Sequence, residues 1–327
     1  MSPEQGAGPA TARRGSDGRP SPLLPDGLLP AQAAVCRDLL AWGQPRPPFD
    51  PDLATNLRRR LADRVLPVLD GHEERVFLSK SRLRALDCDG RWLDRLASPF
   101  EWSTPLVAGS MVHRAIELDT ATRRAREPGE VVDSVVAEVM ATPSGEAAHL
   151  AGLDTIALHD LQATCRDRVV EWRELWPLLD GVHSRFEQTL RATLGRGRFV
   201  VQGKPDLVVS STSPRADVAT SVIVDLKTGR RNETAERADL RLYALLWTLK
   251  YRRPPFRWAT YYLAEGRWDV EDFDPSLLEG TVERLGRAVE GVVRLSPPPP
   301  DDQLQLRPGG HCTFCGRRSK CPAAPEM

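Results

Sequence analysis

Arg198-Phe199-Val200-Val201-Gln202-Gly203-Lys204-Pro205-Asp206-Leu207-Val208-Val209 and Ser221-Val222-Ile223-Val224-Asp225-Leu226-Lys227-Thr228-Gly229 are two apolar runs interrupted by charge. Short Val/Ile/Leu runs bounded by turn residues read as strands. Residues i and i+2 share a strand face, so Asp225 and Lys227 project together while Leu226 points into the core. If the two strands pair, Asp206 comes near Asp225. Two carboxylates suit a hard divalent cation, which takes oxygen ligands and keeps several waters. Such an ion polarises a phosphate and lowers the pKa of a bound water. A lysine beside it orients that water or stabilises charge building on the phosphorane. Phosphodiester hydrolysis needs this set. A strand-end salt bridge is the alternative, and a lone D-x-K does not separate the two.

Upstream, Phe186, Gln188, Leu190, Ala192 and Leu194 alternate with Glu187, Thr189, Arg191 and Thr193. This predicts one strand, with Gln188 the polar exception on its face. Glu187 reads as a solvent-facing strand carboxylate, the alternative being an added acid near the site. Gly195-Arg196-Gly197 suits a hairpin turn. Downstream, a helix is expected over 235–250, with Leu240, Tyr243, Ala244 and Trp247 on one side. A hairpin follows around Glu265-Gly266, with strands at 256–264 and 267–272, then a long helix over 276–294. Towards the N-terminus, helices are expected at 31–42, 52–66, 82–96 (capped by Ser79 or Ser81) and 107–125. Residues 130–178 read as mostly helical, with Trp172 and Trp176 in the core. The Gly-, Pro-, Ser- and Ala-rich segment 1–30 reads as a disordered tail.

Pro297–Pro300 reads as a stiff, extended linker to a tail dense in Cys, Arg and Lys. Cys312, Cys315 and Cys321 give C-x2-C-x5-C, three thiols within ten residues, which points to a metal site. The fourth ligand has several candidates: Cys36, Cys88, Cys165 or the adjacent His311. Three local thiolates and a distant one suit a Cys₄ iron–sulfur cluster. A small zinc site using His311 suits the spacing equally. Cys36 and Cys165 sit in helical contexts and read as buried small apolar residues.

Lys plus Arg total 45 and Asp plus Glu total 45, so the formal net charge is zero. That removes a bulk basic excess as an argument for nucleic acid, though not a local basic surface. The basic residues are 40 Arg against 5 Lys. Candidate basic surfaces are Arg230-Arg231, Arg252-Arg253 and Arg317-Arg318 with Lys320. A hydrophobic content of 41% excludes wholesale disorder. No apolar run reaches the roughly 18 residues of a membrane span, and no secretory signal pattern is present. A cytoplasmic location and no membrane partner are therefore expected. There is no GxxxxGK[ST] loop, so any ATP-driven helicase would be a partner.

Taken together, these residues resemble the RecB-like branch of the PD-(D/E)XK nuclease superfamily, which includes the AddB-type nuclease domain and CRISPR-associated adaptation exonucleases. The resemblance covers roughly 77–322. Phe77-Leu78-Ser79-Lys80-Ser81-Arg82-Leu83 followed by Cys88 resembles the opening Ser-x-Ser helix with its first cluster cysteine. Gly109 to His113 resembles G-x-x-x-H. Gly203 to Asp206 is similar to G-x-x-D, Asp225 to Gly229 to D-x-K-T-G, and Cys312 to Cys321 to the closing triplet. Where the family has Q-x-x-x-Y, Tyr243 is present but Asp239 stands at the Gln position. Such an Asp would repel phosphate unless Arg237 or Arg241 neutralises it.

The resemblance implies a restriction-endonuclease-like α/β fold. Its mixed sheet has about four or five strands flanked by helices. A helical N-terminal extension (31–76) would precede the nuclease domain (77–322), and an iron–sulfur segment (307–322) would close onto Cys88. It implies Mg²⁺ or Mn²⁺ held by His113, Asp206, Asp225 and the main-chain carbonyl of Leu226, with Lys227 assisting the attacking water. A structural 4Fe-4S cluster would sit on Cys88, Cys312, Cys315 and Cys321, with Zn²⁺ the alternative there. Tyr243, Arg241 and Asp239 would support the site or DNA. The implied activity is DNA cleavage, exonucleolytic, in repair, recombination or defence, on single- or double-stranded DNA, with a helicase or larger complex as partner. Two other expectations stand beside it: a non-catalytic DNA-binding or assembly subunit, and a zinc-stabilised interaction module.

Overall fold

The computed structural model describes residues 24–98, 100–178, 182–211, 213, 215–229 and 233–324. Arg230-Arg231 and most of the expected 1–30 tail lie outside the described residues. The strands are β1 (Val76–Ser79), β2 (Val182–Phe186), β3 (Leu190–Leu194), β4 (Phe199–Gly203), β5 (Leu207–Ser211), β6 (Ser221–Lys227), β7 (Pro255–Tyr262) and β8 (Arg267–Asp272). They form a three-stranded sheet, β1-β4-β3, and a five-stranded sheet, β2-β5-β6-β7-β8. The helices are α1 (Pro30–Ala34), α2 (Leu53–Val65), α3 (Lys80–Ala85), α4 (Asp89–Ala97), α5 (Thr104–Ala121), α6 (Pro128–Ala141), α7 (Gly145–Ala151), α8 (Thr155–Leu175), α9 (Glu233–Tyr251) and α10 (Pro275–Arg294).

The five-stranded sheet is mixed: β6 and β7 run parallel, and the other pairs are antiparallel. A parallel pair needs a crossover, which α9 supplies. Strand parity sorts the core into two layers. Leu207, Val209, Val222, Val224, Leu226 and Tyr261 pack with residues of α5, α6 and α8. Val208, Ile223 and Trp258 face the other way, onto α2, α9 and α10. Burying each such side chain stabilises the fold by about 1.5–3 kcal/mol. Trp172 and Trp176 are core residues, stacked at 4.7 Å. Helix α9 is buried on more than the one expected side: Leu242, Leu245, Leu246 and Leu249 join Leu240, Tyr243 and Trp247. It is sandwiched between the sheets on one side and α2 and α10 on the other.

Both long strands expected before the Asp225 strand come in two pieces. Phe186 faces Leu207 and Leu190 faces Gly203, so one antiparallel register runs past the interruption. Pro205 has no N–H to give the ladder. Opposite the next residue, Asp206, Glu187 takes a positive φ of 48°. Its amide still donates to the Asp206 carbonyl at 3.1 Å. The ladder kinks there, and its halves enter different sheets. Gln188, the polar exception to the alternation, sits in that kink.

The helix expected over 82–96 is also two. Ser79 caps α3 by accepting from the Arg82 amide at 3.4 Å. Cys88 then sits in extended backbone as the N-cap of α4. No described helix is long and apolar enough to cross a membrane.

Candidate functional site

The chemistry gathers where the kinked ladder meets the C-terminal end of β6. Asp206 ends the kink and is buried; its Oδ2 accepts from the Leu226 amide at 2.7 Å. That bond locks it beside Asp225, as the strand pairing anticipates. His113 comes from the middle of α5, and its Nδ1 lies 3.3 Å from Asp206 Oδ1 and 3.9 Å from Glu187 Oε1. Among the described residues, His113, Glu187 and Asp206 bring one ligand atom each within 4.8 Å of one another. Glu187 is thus not a solvent-facing strand carboxylate. Its positive φ turns it into the site, where Lys204 pairs with it.

Asp225 is 1% exposed. Neither of its oxygens has a hydrogen-bond partner of good geometry, but two ammonium groups lie against them. Lys227 contacts Oδ2, and Lys80 of α3 lies 3.6 Å from Oδ1. Burial opposes the charge on Asp225, yet Lys80 and Lys227 hold its carboxyl below the usual carboxylate range. Burial likewise opposes an imidazolium at His113, but Asp206 and Glu187 outweigh it and raise the group to about 10. Glu187 is lowered: His113 and Lys204 overcome its desolvation. A cleft of about 400 Å³ opens over this cluster, lined by His113, Arg114, Glu187, Lys204, Lys227 and Thr228 among others.

These donors fit a hard divalent ion. They are carboxylates and one imidazole, those of His113, Glu187 and Asp206 converge, and buried Asp225 beside them is met by two ammonium groups. The His113 ring and the Lys80, Lys204 and Lys227 ammonium groups stand against these carboxylates.

The remaining expected residues are placed as follows. Tyr243 is 2% exposed and lies beneath the site, its ring against Gly203 and under the Lys80 ammonium at 5.5 Å. Asp239, one turn before it, is 1% exposed and paired with Arg84, so it does not face the cleft as a bare charge. Its neutralising partner is not Arg241, whose guanidinium forks onto Glu271 at 2.5 and 2.7 Å. Arg252 and Arg253 precede β7, and Pro255 pairs with Ser221 at the end of the sheet opposite Lys227. That places them about 20 Å from the site, at roughly 3.3 Å per strand residue. The sequence reading gave no role to Lys80, Arg84 or Lys204. All three lie inside or beside quoted motifs, but their partners come from distant segments.

The tail forms a second centre. Cys88, Cys312, Cys315 and Cys321 line one pocket together with His311. The Arg307 amide donates to Cys88 Sγ at 3.5 Å, and the Gly309 amide to Cys312 Sγ at 3.4 Å. Cys36 and Cys165 are elsewhere, buried in the helical half as apolar side chains. Burial pushes their thiols up to about 11 and about 12. Asp89 fixes the docking: it receives Arg294 at 2.7 and 2.8 Å and the Gln305 amide at 2.7 Å. Arg317 is paired with Asp301 at 2.8 Å.

A family model described as the PD-(D/E)XK nuclease superfamily matches residues 78–322. Among solved structures, the chain is similar to one titled "Crystal structure of SSO0001". The identity is 13%, the match covers 83% of this chain and 98% of that one, and the TM-score is 0.32. No curated protein matches.

Proposed function

The chain belongs to the PD-(D/E)XK nuclease superfamily, and from that premise we propose that it cleaves DNA as a RecB-like, metal-dependent exonuclease. The observation that carries the reading is the meeting of His113, Glu187 and Asp206 with the Asp225–Lys227 pair at one strand end. His113, Asp206, Asp225 and the Leu226 carbonyl are the ligands for Mg²⁺ or Mn²⁺, with Glu187 an added acidic donor. The ion would polarise the phosphate and supply a water of lowered pKa. Lys227 orients the attacking water by donating to it and offsets the negative charge that builds on the phosphate. Tyr243 and the Arg84–Asp239 pair hold the floor beneath these groups.

Cys88, Cys312, Cys315 and Cys321 hold a 4Fe-4S cluster with a structural role, tying α4 to the tail. Four thiols on one pocket with main-chain amides aimed at two sulfurs support this. The proposed setting is cytoplasmic DNA repair, recombination or defence, beside a separate helicase or within a larger complex.

The test is cleavage of end-labelled single- and double-stranded DNA with Mn²⁺ or Mg²⁺. Asp225→Asn and Lys227→Ala should each abolish cleavage while leaving the melting transition in place. Wild-type activity in both variants removes the assignment. DNA binding without cleavage by the unmodified protein would instead make it a non-catalytic subunit.

A further inference from the structure

The active-site acids hold two cations that the proposed chemistry does not use, Lys204 on Glu187 and Lys80 on Asp225. Lys227 rises from the same strand as Asp225. Lys80 comes from α3 and sets its Nζ 3.6 Å from the other oxygen of the same carboxylate. A buried carboxylate left without a counter-charge is strongly destabilising, so a cation has to stand there. Lys80 meets that need without being entombed: its side chain keeps 34% of its exposure, against 1% for Asp225. Two contacts steer it. Arg84, one turn on along the same helix face, is anchored to buried Asp239 of α9. The Tyr243 ring, one turn beyond Asp239, lies under the Lys80 ammonium. The helix is therefore fixed, while the flexible four-carbon stem of Lys80 is not.

We infer that Lys80 is an exchangeable counter-ion of Asp225. It occupies Oδ1 until a divalent cation takes that oxygen, and the displaced ammonium then binds a non-bridging oxygen of the substrate phosphate. The second step rests on the nuclease reading; the first, competition with the metal, does not. On this account the Asp at position 239 has a purpose. It forms the anchor with Arg84 that presents Lys80, which an amide would do without charge.

The experiment is calorimetric titration of the full-length protein with Mn²⁺ in the absence of DNA, beside steady-state cleavage kinetics. Lys80→Met keeps the packing stem and removes the charge. It should bind Mn²⁺ at least about tenfold more tightly, because the ion no longer competes with an ammonium for Oδ1. Its kcat on DNA should fall while KM changes little. Lys80→Arg should keep the weaker, wild-type-like Mn²⁺ affinity. A merely structural lysine would leave Mn²⁺ binding unchanged or weaker in Lys80→Met; a lowered melting temperature of the metal-free variant fits both readings, so the metal affinity decides. Unchanged or weaker Mn²⁺ binding by Lys80→Met overturns the inference, whether or not the wild type cleaves DNA. Tighter Mn²⁺ binding by the variant, with no cleavage by the wild type, supports the exchange and counts against the nuclease reading alone.

Discussion

Glu187 shows what a single backbone angle contributes. Its φ of 48° costs roughly 1–2 kcal/mol in a residue with a Cβ. In return, its carboxylate faces His113 and Lys204 across a ladder that would otherwise point it at solvent. Glu187→Gln retains the backbone cost and loses the charge. Mn²⁺ affinity should drop at least about tenfold, because one negative charge leaves the donor set, as read by calorimetry. The His113 imidazole, relieved of one of its two acids, should titrate lower, as followed by NMR. Asp206, Asp225 and Lys227 were legible from strand parity and pairing alone. Glu187 read as solvent-facing, with an added acid near the site only the alternative, because alternation carries no sign of the positive φ that turns it inward. The only trace in its own strand was Gln188, a polar residue where the alternation asks for an apolar one.

At the scale of elements, the packing of α9 on the sheet turns on Gly203. A Cβ there would stand 2.7 Å from Cδ1 and 2.8 Å from Cε1 of the Tyr243 ring, and 3.2 Å from Leu246. The ring is buried and has little room to move away. Gly203→Ala should destabilise the protein by about 1–3 kcal/mol, the range of overpacked cores, measured by urea unfolding. It should also lower cleavage, since the ring under Lys80 and the Asp206 kink would shift together. Element identities were largely readable from period: the helix over 276–294, the hairpin around Gly266 and the Asp225 strand need only adjusted ends. The breaks inside elements were less so. The split at Cys88 and the kink at 204–206 arise from partners more than a hundred residues away in one case and on the facing strand in the other.

At the scale of the molecule, the chain closes on itself through the tail. Asp89, next to Cys88, ties α4 to the end of α10 and to Gln305. Leu295 joins Ala85, Trp92 and Leu93 in a small apolar cluster, with Leu304 against it. Docking therefore has polar and apolar parts independent of the thiols. Anaerobically purified protein should be brown with broad visible absorbance. Cys88→Ala should bleach it and lower the melting temperature, while the docked tail persists by limited proteolysis. A colourless protein with stoichiometric zinc overturns the cluster. The five-stranded sheet matches the four or five strands expected. The second sheet was not anticipated, because β1 pairs in parallel with β4 across more than a hundred intervening residues, a contact with no local signature.

The kink also has a mechanical meaning. It is the place where one ladder passes from the small sheet to the large one, and it carries both Glu187 and Asp206, while the other candidate donors belong to α5 and β6. The spacing of the donor atoms is thus a gauge of the angle between the two sheets. A change in that angle would alter how the donor atoms fit around a cation without moving any of them within its own element.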